Sequence, residues 1–281
     1  MTTDRGEPLS GGVLAAGITR VGGTVRRPAG PWTPTVHALL RHLERAGFDG
    51  APRVLGTETG PDGAAWELLE YLPGEVAWGP AHHRLLGSDE ALRAAGRLLR
   101  RYHEAVGGFA VPAGARWRFP EMAADAEPWV GIDLGLGDGG RLVCHNDPGG
   151  WNLVVGPTRM AFLDWDVVGV RPPIWDVAYA AVGLIPVGPD PAASGWDRPP
   201  PVPERLAALA GGYGLDDRTL ARLPEVMVAR VTSSFAHFRG RARAGIAPWA
   251  ELWTGGHGQV WADRLGFAVR HRAEWAAALG A

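Results

Sequence analysis

Residues 144–170 read CHNDPGGWNLVVGPTRMAFLDWDVVGV. Three apolar runs, Arg141–Cys144, Leu153–Val155 and Met160–Leu163, predict short strands, and Gly156-Pro157 predicts a tight turn between the second and third. The polar residues fall where these strands stop. His145 and Asp147 follow the first strand, Asn152 comes five residues after Asp147, and Asp164 ends the third strand. Asn146 and Asn152 are the only asparagines in the chain, and both lie here. A polar turn loop capped by Asp and Asn is the structural reading of this string. The chemical reading is phosphoryl transfer, in which a protein mainly positions groups and neutralises charge. One carboxylate accepts the proton of an attacking hydroxyl. An amide oxygen and a second carboxylate hold Mg²⁺ against nucleotide phosphates, since Mg²⁺ prefers hard oxygen donors. A string H-x-D-x4-N followed by a strand-borne Asp supplies those three oxygens in that order.

The pattern changes on the two sides of this stretch. Upstream, Ile18–Val21 and Thr24–Arg27 flank Gly22-Gly23 and predict a hairpin. Thr33-Pro34 reads as N-cap and first helical position, and Val36, Leu39, Leu40 and Leu43 form one face of a helix ending near Gly47. Pro52–Gly56 and Ala65–Leu72 predict two more strands. After Pro73-Gly74, Ser88 caps a helix running to about Val106. Ile174–Gly183 reads as helical, residues 187–202 as a proline-rich loop, and Glu204–Gly212, Asp217–Arg222, Pro224–Arg239 and Gln259–Leu279 as helices. The organisation is a small β-rich lobe over residues 1–72 and a larger, mostly helical lobe over residues 73–281, with a cofactor cleft expected between them.

Composition excludes several chemistries. The 28 basic residues are all arginine, so the lysine of a phosphate-binding P-loop and any lysine Schiff base are missing. The net charge of −2 comes without a basic block, which argues against a nucleic-acid groove. Cys144 is the single cysteine, so neither an intrachain disulfide nor a multi-cysteine metal site is expected, in keeping with a reducing compartment. The N-terminal residues lack the apolar core of a signal peptide, and no apolar run is long enough to span a bilayer. A cytoplasmic protein with no membrane partner is the expectation.

HNDPGGWN, FLDWD and PPIWDVAYA together resemble the aminoglycoside phosphotransferase and choline kinase family, whose fold is the bilobed α+β protein-kinase-like fold. The resemblance covers roughly residues 18–185 and fades into a helical tail. It implies Asp147 as catalytic base, Asn152 and Asp164 as Mg²⁺ ligands, and ATP or GTP as phosphate donor. His145, Asp166 and Asp176 become supporting residues, with Asp176 bracing the catalytic loop. In the small lobe, VRR offers Arg26 for the strand cation that touches the phosphates, with Arg27 as its neighbour. Gly11 and Gly12 stand where a turn over the phosphates is expected. Glu70, Tyr71 and Leu72 stand at the hinge that meets the adenine. Two departures accompany the resemblance. The helix at 34–46 has Val36 and His37 where the family carries a glutamate for the strand cation, and Glu44 lies about two turns later. The Gly149-Gly150 pair suggests a catalytic loop with little built-in order.

Other candidates carry less. GLGDGG at 135–140 leads into a strand, so a dinucleotide reading lacks its helix. His82, His83 and His103 have no metal-ligand spacing, and Cys144 reads as an inert buried thiol. The expected function is transfer of the γ-phosphate to a hydroxyl of a small molecule. Residues 190–281 hold nine acids against eleven arginines, so common aminoglycosides, which are polycations, are expected to be poor acceptors. The alternative is a catalytically weak nucleotide-binding regulator or immunity-type protein on the same fold.

Overall fold

The computed structural model describes residues 6–9, 17–120, 132–137, 140–190 and 192–280. Alternation of side chains along strands builds the first layer, an antiparallel sheet ordered β1-β2-β3-β5-β4. Its strands are β1 (Glu7–Pro8), β2 (Thr19–Val21), β3 (Thr24–Pro28), β4 (Val54–Thr59) and β5 (Ala65–Glu70). Gly22, at φ 58°, turns β2 into β3. The register sets Arg26 opposite Leu68 and Arg27 opposite Glu67, so the two arginines point to opposite faces of the sheet. Helix α1 (Thr33–Arg45) buries Val36, Leu39, Leu40 and Leu43. It starts one residue earlier than its sequence suggests: Thr33 is already helical, and its hydroxyl accepts from the Gly30 N–H instead of capping the first turn.

The chain then leaves this sheet. β6 (Glu75–Val76) pairs with β8 (Leu153–Val155), which pairs with β9 (Met160–Phe162). β7 (Leu142–Cys144) pairs with β10 (Gly169–Arg171), so the quoted 144–170 stretch is enclosed by two small sheets. Helices α2 (Ala81–Leu86), α3 (Asp89–Val106), α4 (Ile174–Leu184), α5 (Val202–Tyr213), α6 (Asp217–Arg243), α7 (Trp249–Leu252) and α8 (Gly258–Gly280) complete an α+β, two-lobed molecule. Ser88 caps α3 by accepting from the Ala91 N–H. All eleven residues of α4 are buried, as expected for a helix that is apolar all round.

One expected break is absent. The segments read as separate helices on either side of Pro224 form the single helix α6. A proline removes one helical hydrogen bond, but Leu223, Val226, Met227 and Val231 continue one buried face through it, and that burial outweighs the local loss. The short elements β6, β10 and α2 span too few residues to show a period in the sequence.

Candidate active site

The loop that follows β7 is shaped by one buried carboxylate. Asp176, in the first turn of α4, accepts the N–H of His145 at 2.7 Å, the N–H of Asn146 at 2.7 Å and His103 Nε2 at 3.2 Å. Burial alone would raise its pKa, but the hydrogen bond from His103, the adjacent His103 and His145 rings and the His145 N–H hold it below the usual carboxylate range. Asn146 adopts φ 65°, a left-handed conformation that Asn tolerates better than most residues, and its side chain donates to Val167 O at 2.8 Å. His145 is fully buried; its Nε2 meets Leu163 O at 3.0 Å and its ring packs against Trp165 and Phe162. Burial lowers its pKa, which favours the neutral imidazole.

Asp147 emerges from this support. Its carboxylate accepts from Trp151 Nε1 at 3.0 Å and from Asn152 Nδ2 at 2.8 Å, and the same amide reaches the Asp147 carbonyl oxygen at 3.0 Å. Burial, followed by the Asp164 charge, pushes the Asp147 pKa up to about 7, against the opposing pull of Trp151, Arg230 and Asn152. The Tyr179 hydroxyl sits against the same carboxylate, and burial together with that negative charge raises its own pKa. The glycine pair does not loosen the loop. A Cβ on Gly150 would lie 2.3 Å from the Ala77 carbonyl oxygen, and one on Gly183 would lie 2.6 Å from the Gly149 Cα. These glycines allow β6 and α4 to approach the loop backbone, so the expectation of a poorly ordered segment is corrected by close packing.

Asp164 takes φ 53°, at the start of the short turn Trp165–Val167, and its side chain is 40% exposed. Its partner is not Arg26. Arg26 pairs with Glu58 and lies 3.5 Å over the Trp66 ring, on the far face of the sheet. One step along β3 reverses the side-chain direction, so Arg27 enters the cleft. Its guanidinium reaches Glu67 at 2.6 Å, Asp164 at 3.1 Å and Asp166 at 2.5 Å. Burial opposes its charge, but the carboxylates of Asp166, Asp164 and Glu67 more than restore it. The glutamate missing from α1 is replaced from the sheet. Glu67, 1% exposed, bonds Arg27 through one oxygen and His37 Nε2 through the other at 2.8 Å, and His37 occupies the α1 position that the sequence flagged. Asp166 has both oxygens engaged, one by Arg27 and one by Arg118 at 2.7 Å.

The sequence profile of the phosphotransferase enzyme family matches residues 25–226. The chain belongs to that family. The solved structures it resembles have the same fold at low sequence identity. A choline/ethanolamine kinase family protein from Mesorhizobium loti superposes with a TM-score of 0.57 at 16% identity, over 94% of this chain and 88% of that one. An amicoumacin kinase complexed with AMP-PNP, Ca²⁺ and its antibiotic gives 0.55 at 15% identity, over 90% and 81%. An aminoglycoside 2′-phosphotransferase bound to GDP gives 0.53 at 13% identity, over 92% and 89%. A trifolitoxin immunity protein from Rhizobium leguminosarum bv. trifolii is 40% identical over 153 residues, which are 54% of this chain. The chain thus spans about half the length of that relative, 52%.

Within this phosphotransferase-family fold, the structure brings Asp147, Asn152, Asp164, Asp166, His145 and Asp176 into one neighbourhood and turns Arg26 away from it. Gly11 and Gly12 lie outside the described residues. At the hinge, Glu70 is tied by its side chain to Arg53 and Arg159, and Leu72 is buried against Val154, Ala161 and Leu163. Arg27, Glu67, Arg118, Trp151 and Tyr179 complete the site. Strand pairing could have pointed to Arg27 and Glu67, which face each other across β3 and β5, but spacing alone could not. His103, Cys144 and Asp176 offer ligand atoms within 4.8 Å of one another, although sequence spacing gave His103 no partner. Asp176 is already filled by N–H donors, and burial raises the Cys144 thiol well above its ordinary pKa, so the trio serves as a brace. Among the described residues, no helix is long and apolar enough to cross a membrane.

Proposed function

We propose that this protein uses ATP or GTP and Mg²⁺ to transfer the γ-phosphate to a hydroxyl of a small molecule. The observation that carries the reading is Asp147, a carboxylate oriented by Trp151 and Asn152, facing Asp164, with its pKa raised to about 7. A general base works best when its pKa is near the working pH. Asp147 would accept the acceptor hydroxyl proton, and Trp151 and Asn152 would keep the carboxylate aimed at it.

The donor set fits a hard cation. Asn152 directs its N–H groups to Asp147, which leaves its carbonyl oxygen for a metal. Asp164 is partly exposed and shares one oxygen with Arg27. These two residues would hold Mg²⁺, whose charge would neutralise the donor phosphates. Asp166 does not fit as a ligand, because two arginines hold its oxygens. Arg27, in place of Arg26, would carry the phosphate-facing charge.

The test is a thermal shift with ATP in the presence and absence of Mg²⁺, followed by single-turnover loss of the γ-phosphate against a library of alcohols. Asp147→Ala is expected to lower turnover by roughly 10²–10⁴-fold and to leave nucleotide binding in place. Full activity in that variant would refute the assignment. Kanamycin and similar polycations are expected to support little ADP release. A second reading, an immunity-type protein with weak catalysis, draws on the 40% identity to the trifolitoxin immunity protein. The missing helix glutamate no longer supports it, because Glu67 supplies that charge. Nucleotide binding without γ-phosphate loss to any alcohol would favour it.

A further inference from the structure

An acceptor hydroxyl has to reach Asp147, so the groups packed beside Asp147 select the acceptor; the inference rests on the phosphotransferase reading. Beside Asp147 runs a series of rings. Trp78 meets Trp151 edge-on at 5.2 Å, Trp151 meets Tyr179 at 6.0 Å, and Tyr179 stacks parallel to Trp261 at 6.5 Å with 10° between the planes. At the far end, Arg264 of α8 lies 5.1 Å from the centre of Trp261.

Arg264 differs from Arg27. Arg27 binds three carboxylates, whereas Arg264 has no carboxylate partner among the described residues, and its Nε is buried without a hydrogen bond. Burial lowers its pKa, and Tyr179 is the titratable group that pulls it back. The neighbouring His257 offers no negative charge; its Nε2 accepts from Trp261, and burial and Arg264 together lower its pKa. Arg230, which approaches the same Tyr179 ring at 4.0 Å, adds a second positive charge and binds Asn146 O and Ser234. A guanidinium partly withdrawn from water without a counter-charge is costly to hold, and an anionic ligand relieves that cost.

We propose that Arg264 is the anion-binding residue of the acceptor subsite, and that the acceptor is an alcohol carrying a carboxylate. The planar guanidinium suits a carboxylate through paired hydrogen bonds.

The test uses two probes that differ in one group, 3-phenyllactate and 3-phenyllactamide, titrated into the full chain with AMP-PNP and Mg²⁺ and followed by calorimetry. The acid is expected to bind about tenfold or more tightly than the amide, as a charge-assisted hydrogen bond at a partly buried site allows. Arg264→Gln should abolish that preference, and Arg264→Lys, which keeps the charge without the fork, should retain part of it and stands in if the glutamine variant does not fold. Equal binding of the two probes, absence of binding by both, or an unchanged preference in Arg264→Gln overturns the proposal. AMP-PNP binding, read in the same samples, separates the two ideas: its loss counts against the phosphotransferase reading, and nucleotide binding without carboxylate preference sinks the anionic subsite alone.

Discussion

The loop around Asp147 and the cradle around Arg27 are built differently. In the loop, Asp176 gathers consecutive backbone N–H groups, and Trp151 and Asn152 fold back on an Asp147 only four and five residues away. In the cradle, Arg27 draws on Glu67, Asp164 and Asp166, which lie 40, 137 and 139 residues away in sequence. The loop is largely a local backbone device, anchored from outside by Asp176 of α4 and by Arg230 of α6. The cradle is an assembly of side chains that exists only once both lobes have folded. A local device tolerates little change in residue type, because each position makes a backbone bond. A distributed assembly can draw its charges from different elements, and here the acid beside Arg27 comes from β5 and bonds His37 of α1.

The largest effect is expected where the loop depends on one group. Asp176→Ala strands two buried N–H donors and His103, and should lower unfolding stability by about 3–5 kcal/mol in denaturant titrations. The cradle should be nearly as sensitive at Arg27 and insensitive next to it. Arg27→Met leaves Glu67, Asp164 and Asp166 without their common cation and should cost roughly 3 kcal/mol along with most nucleotide affinity. Arg26→Met, on the exposed face, should change stability by at most about 1 kcal/mol and leave nucleotide affinity alone. The reverse pattern would return the phosphate-facing role to Arg26. Gly183→Ala tests whether close packing holds the loop; its Cβ must displace Gly149, so a loss of about 1–3 kcal/mol and a larger fall in kcat than in nucleotide affinity are expected.

The smallest effect is in pH dependence. The folded-state pKa of Asp147 is raised from the ordinary Asp value to about 7, so between about pH 4 and pH 7 the folded chain holds a proton that the unfolded chain has released. Stability from this group is therefore present below that window and declines as pH rises through it. Asp147→Asn removes the titration, so its stability relative to wild type should rise with pH across the window, by on the order of 1 kcal/mol once the carboxylate's exposed edge is allowed for. Urea melts of both proteins at pH 4, 5.5 and 7.5 would measure it, and parallel curves would show that Asp147 ionises as an ordinary carboxylate.

Much of the loop was legible because its signals are sequential. The strand–turn–strand pattern, the two asparagines and the spacing of Asp147, Asn152 and Asp164 all sit within one window, and Ser88 announced the start of α3 in the same local way. The cradle was legible only in part. The family resemblance implied that a lysine-free chain would use an arginine on β3 and that α1 lacks the family's glutamate. It did not show which of two adjacent arginines faces the cleft, because one residue of register reverses both, and register depends on the pairing of β3 with β5. Glu67 was hidden for the same reason, as one of two acids on a strand whose buried face is fixed by tertiary packing. The continuity of α6 through Pro224 likewise depends on burial that a local rule does not include.

The guanidinium at position 27 also determines which covalent chemistry can reach the site. A phosphate-facing lysine is open to acetylation, carbamoylation and acyl-phosphate labelling, each of which replaces a cation with a neutral amide or urea. Arg27 has no amine to acylate and keeps its charge at any pH at which the protein is folded. Reagents directed at a lysine amine would pass over this position, and covalent control of the charge beside Asp164 and Asp166 would require chemistry directed at arginine.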